Sequence, residues 1–67
     1  MGILNCMKIK ELREGRGLSQ EEAAKLAGIG GRQQWNDVES GRRVNLTLDT
    51  LERVAKALNA KPRDLLK

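Results

Sequence analysis

The chain contains no histidine, no phenylalanine and no tyrosine, and only one cysteine, one proline and one tryptophan in its 67 residues. Each scarcity excludes something. Without histidine, neither a Ser-His-Asp nor a Cys-His mechanism can be assembled. With a single cysteine as well, a zinc site is nearly excluded, so no metal and no cofactor is expected. Cys6 has no partner for an internal disulfide, which fits a reducing compartment or indifference to redox, and it reads as a small core or surface residue. No apolar run reaches the length of a membrane span, and the mildly apolar start from Met1 to Met7 is far too short for a signal peptide. The expectation is a soluble, cytoplasmic protein with no membrane partner. Gly28-Ile29-Gly30-Gly31 follows no strand and is too short for a nucleotide-binding loop, so an enzyme is not expected.

What is present favours helix. Ala, Leu, Glu, Lys and Arg dominate, and a third of the residues are charged. A chain of this length makes one domain, residues 1–67, with a modest core. The net charge of +4 and a pI near 9.7 favour a polyanionic partner, nucleic acid being the commonest.

Five helical stretches can be read. The first runs from about Ile3 to Glu14, with Ile3, Leu4, Met7, Ile9 and Leu12 on its apolar side, and stops at Gly15 and Gly17. The second starts at a capping box, Ser19 to Glu22, with Leu18 stapled before it, and carries Ala23, Leu26 and Ala27 inward until Gly28. Ile29 plugs the glycine turn. The third spans about Arg32 to Ser40 and closes at Gly41, with Trp35 and Val38 on one face. Thr47 caps the fourth, where Leu48, Leu51, Val54, Ala55 and Leu58 form the clearest stripe and Asn59 follows the end. Pro62 opens a short fifth helix that tucks Leu65 and Leu66 back. The expected core is therefore Leu12, Leu18, Leu26, Ile29, Trp35, Val38, Leu51, Val54 and Leu58. Trp35 could stack on a base, but its place opposite the polar face makes it a core residue.

Helix, glycine turn and helix, the second polar outside and apolar inside, is the sequence form of a helix-turn-helix, here about residues 18–41. The residues Leu12-Arg13-Glu14, Gly17-Leu18-Ser19-Gln20-Glu21-Glu22-Ala23-Ala24, Ala27-Gly28-Ile29, Val38-Glu39-Ser40-Gly41-Arg42 and Leu51 to Leu58 carry a likeness to one family. The chain resembles the Cro/CI-type, lambda-repressor-like helix-turn-helix family from about Ile9 to Leu66. That resemblance implies a compact all-α, five-helix domain acting as a sequence-specific regulator. It implies a repressor that binds double-stranded DNA as a homodimer on a two-fold symmetric site, one half-site per copy.

Site residues follow from the same resemblance. Gln20, at the start of the second helix, would contact a phosphate, as would Arg42 and Arg43 after the third. Arg32, Gln33, Gln34, Asn36 and Asp37 would face the major groove, where Arg suits guanine and Gln suits adenine. Arg13 and Glu39 would form a structural ion pair. One departure stands out: Gly30-Gly31 replaces the usual Ser or Thr cap of the third helix, and the turn is one residue longer. The register of the reading helix stays open by one residue. The alternative reading is a protein-binding module, for example an antitoxin that holds a toxin.

Overall fold

In the computed structural model, which describes residues 3–42 and 45–67, the chain begins extended rather than helical. Leu4 forms an antiparallel bridge with Leu66. Asn5 N donates to the Leu65 carbonyl at 2.7 Å, and Lys67 N donates to that of Ile3 at 2.7 Å. The expected helix start at Ile3 is therefore corrected to Cys6. The physical cause is Asn5, whose side chain accepts from Lys8 N at 3.2 Å and caps the helix there.

Among the described residues there are four α-helices: α1 (Cys6–Gly15), α2 (Gln20–Ala27), α3 (Arg32–Glu39) and α4 (Leu48–Ala57). The fifth expected helix is a single 3-10 turn, Pro62–Leu65. Pro62 supplies a first residue that needs no donor. The chain turns extended again at Leu66 to pair with Leu4, which leaves no room for a full α-turn.

The helix ends follow local chemistry. Ser19 Oγ accepts from Glu22 N at 3.0 Å, and Glu22 Oε1 accepts from Ser19 N at 2.9 Å, completing the box. These bonds, the backbone one first, hold the Glu22 carboxyl below its ordinary range. Gly28 (φ 67°) ends α2 in the left-handed region. Thr47 Oγ1 accepts from Thr50 N at 3.1 Å to start α4, and Asn59 (φ 56°) follows its end.

The α2 helix sits between α3 and α4, while α1 lies against α3 and the 3-10 turn. It presents Ala23, Ala24 and Ala27 to its neighbours, so backbones approach closely. Ile9, Trp35, Val38, Val54, Leu58 and Leu65 fill the space behind them. Leu12, Leu18, Ile29 and Leu51 are half-buried against this core, as expected. Leu26 is not a core residue: it is 59% exposed. At 100° per residue it lies about 100° from the middle of the alanine face. The alanines, not the larger side chain, make the contact. Met7 and Leu48 likewise point outward.

One part-buried ion pair ties the elements together. Arg13 Nε donates to Glu39 Oε1 at 2.8 Å, with the two side chains 12% and 5% exposed. Arg13 Nη1 also donates to the Leu18 carbonyl at 2.7 Å, so the cation bridges α1, the approach to α2 and the end of α3. Removing one partner strands a desolvated charge. Arg13→Ala should cost about 3 kcal/mol or more, and Arg13→Met combined with Glu39→Met should cost less. Urea unfolding of both decides it; equal losses would show that the two charges do not act as a pair.

Trp35 carries a different feature. Its ring is fully buried, yet Nε1 has no hydrogen-bond partner among the described residues. Trp35→Phe removes that donor and leaves a small void, and the two effects oppose. Stability should stay within about 1 kcal/mol of wild type, against a loss of about 3–5 kcal/mol for Trp35→Ala. A loss above about 2 kcal/mol for the phenylalanine variant would mean that the void outweighs relief of the unpaired donor.

Candidate nucleic-acid interface

The first turn of α2 and the outer face of α3 meet edge to edge. Their junction is the Gln20 side chain. Gln20 Nε2 donates to Glu39 Oε2 at 2.5 Å and to Asn36 Oδ1 at 3.2 Å. Its amide nitrogen is thus spent on the contact between the two helices. The backbone N–H groups of Gln20 and Glu21 have no intrahelical acceptor, as at any helix start, and they carry the positive end of the dipole.

On α3, Arg32, Gln33 and Gln34 are exposed, and Asn36 and Asp37 are half-buried along one edge. They are not equivalent. Gln34 folds back so that Oε1 accepts from Gly31 N at 3.0 Å. This is the N3 half of a capping box; the half that a Ser or Thr hydroxyl would supply to the first-turn N–H groups is absent. The Gln34 bond needs Gly30: a Cβ there would stand 2.5 Å from the Gln34 amide carbon. Gln33 Nε2 donates to Asp37 Oδ1 at 3.0 Å, one turn apart. Arg32 has no ion-pair partner among the described residues and extends into solvent.

Arg42 lies just beyond α3, largely exposed, with Nη1 4.0 Å from Asp37 Oδ1. Arg43 lies outside the described residues. The structure therefore brings Gln20, Asn36 and Glu39 together, places Arg32, Gln33 and Asp37 on one outer surface, and turns Gln34 away into a cap. Sequence reasoning missed the link from Gln33 to Asp37, although their four-residue spacing signalled it. It also missed Arg16, whose Nη1 donates to the Ala57 carbonyl and closes the gap between α1 and α4. None of the described helices is long and apolar enough to cross a membrane.

The sequence and fold are similar to those of known proteins. The family model described as a helix-turn-helix domain matches residues 7–67. No curated protein matches the sequence. Among solved structures, the restriction-modification controller protein C.AhdI from Aeromonas hydrophila is similar at 39% identity and a TM-score of 0.82, covering 91% of this chain and 89% of that one. The master regulator for biofilm formation SinR, solved in complex with DNA, is similar at 28% identity and a TM-score of 0.83, covering 91% and 98%. The hypothetical transcription factor NHTF from Neisseria is similar at 32% identity and a TM-score of 0.83, covering 92% and 69%. With the match running over nearly the whole length, this chain belongs to the Cro/CI-type helix-turn-helix family.

Proposed function

We propose that this chain is a sequence-specific transcriptional regulator of double-stranded DNA. It acts as a repressor, with two copies on a two-fold symmetric operator and α3 of each in the major groove. The observation that carries this reading is the Gln20 bridge, which holds the start of α2 beside the polar face of α3. That arrangement lets backbone N–H groups meet a phosphate while side chains reach base edges.

Roles follow from placement. Arg32 and Gln33, exposed at the start of α3, read bases, and Asn36 and Asp37 border the same surface. The helix start at Gln20 takes a phosphate through its backbone, its amide being engaged within the protein. Arg42 and Arg43 neutralise phosphates beyond α3. A single module of this size reads few base pairs, so a second copy about one helical turn away supplies the remaining affinity. The relatives support the class: SinR was solved with DNA, and C.AhdI is a controller protein.

Selection from a random duplex pool, followed by salt titration of the winners, tests this. An inverted repeat should be enriched, and Arg32→Ala and Gln33→Ala should each relax particular positions. Arg42→Ala should weaken binding to all sequences and reduce the slope of log K against log salt by about 0.9. Absence of binding at low salt would sink the reading and favour the protein-binding alternative.

The cap of α3 gives a second test. Gly31 is extended (φ −166°), a conformation open to any residue, and a Cβ there meets Gln34 Oε1 at an ordinary 3.8 Å. Gly31→Ser should raise stability by about 0.5–1 kcal/mol through the hydroxyl cap and reduced chain entropy. Base preferences should not change. A new preference would mean that the start of α3, and not its outer side chains alone, sets the readout.

A further inference from the structure

Of the two carboxylates on α3, Glu39 is neutralised by Arg13, but Asp37 is one that a polyanionic partner should repel, and it lies on the face assigned to DNA. Its carboxylate is not idle. One oxygen, Oδ1, accepts from Gln33 Nε2 at 3.0 Å and stands 4.0 Å from Arg42 Nη1. Gln33 itself is exposed at the start of the helix, and its side chain has three rotatable bonds and a symmetric outline. Left alone, its amide would present a donor or an acceptor edge with equal ease. The carboxylate removes that freedom, because an ionised carboxylate can only accept. The amide nitrogen must turn towards Asp37, which fixes where Oε1 points.

We propose that Asp37 is a positioning residue for sequence readout. It orients the Gln33 amide for one base pair and draws the Arg42 guanidinium towards the end of α3, at the cost of repelling the phosphate backbone. The inference rests on the DNA-binding reading above. A plain structural role would be an i,i+4 hydrogen bond that steadies a short helix. The two differ in what they change. A helix-steadying bond moves stability and affinity together. A positioning carboxylate moves affinity and specificity in opposite directions.

The test uses the full chain, its selected duplex, and a set of duplexes altered at each position in turn. Thermal melts confirm that each variant is folded. Asp37→Ala should bind every duplex more tightly, by about threefold at low salt, since one repelling charge is gone. Discrimination at one base pair, about tenfold for an oriented amide, should fall towards unity. Asp37→Asn should show the same tighter binding and keep most of the discrimination, because its carbonyl oxygen still accepts from Gln33. Gln33→Ala should lose discrimination at the same base pair, and adding Asp37→Ala to it should lose no more there.

Three results overturn the assignment. One is a base preference left intact in Asp37→Ala, which would reduce the bond to helix support. The double variant could lose discrimination beyond that of Gln33→Ala, which would mean that Asp37 reads a base directly. A wild-type chain that enriches no sequence overturns the DNA-binding reading and this inference together, whereas the first two results leave that reading standing.

Discussion

The carboxylate of Glu39 is the point on which the helix-turn-helix depends. One oxygen takes Arg13 from α1 and the other takes Gln20 from α2, while its own backbone belongs to α3. Three helices thus converge on one side chain at the end of α3. Arg13 continues the network to the Leu18 carbonyl, just before the α2 cap. A largely desolvated ion pair of this kind contributes little net stability compared with an apolar pair, because desolvation offsets the attraction. Its effect is geometric. Hydrogen bonds with fixed directions set the angle between α2 and α3, where alanine packing alone would allow the helices to slide.

The α3 helix needs that support because it is short and poorly started. Eight residues are too few to form a stable helix in isolation. Its N-terminus follows two glycines, which offer no side-chain cap and a large entropy cost. Two features compensate. Gln34 reaches back to Gly31 N, and Trp35 and Val38 bury the inner face completely. The capping requirement also fixes which residues remain outward. With Gln34 bonded back to Gly31 and Trp35 turned in, Arg32, Gln33, Asn36 and Asp37 keep their side chains along the outer side of a helix that begins at Arg32.

Much of this was legible in the residues. The α2 capping box, the left-handed glycines, the Arg13–Glu39 pair and the buried positions of Trp35, Val38, Val54 and Leu58 follow from patterns that act over a few residues or over family spacing. The failures share one cause, which is competition from distant chain. Ile3 and Leu4 fit a helical period, but the C-terminus offers Leu66 as a bridge partner and Asn5 offers a cap, so the helix begins later. Leu26 fits the α2 stripe, but three alanines allow a closer approach than a leucine would, and burial goes to them. Residue type decides whether a side chain is apolar; only the packing of α2 between α3 and α4 decides which apolar side chain faces in. Side-chain pairing on α3 is a different case, signalled only by a four-residue spacing. A row of Arg, Gln, Gln, Asn and Asp names possible donors and acceptors without saying which are already committed to one another.

That commitment bears on how a reading surface works. An exposed glutamine loses rotamer freedom when it grips a base, and that loss subtracts from affinity for right and wrong bases alike. Holding its amide beforehand against a neighbouring carboxylate moves the loss into folding. On the proposed reading, the surface around α3 therefore divides its labour. Arg42, with a long flexible stem and full charge, attracts any duplex, and Arg32 adds that attraction to its contact with a base. The Gln20–Asn36 and Gln33–Asp37 pairs carry no net attraction for phosphate, and the second carries a repulsion. Such a surface gains discrimination by giving up affinity within each copy, and a second copy on a symmetric site restores the affinity without relaxing the discrimination.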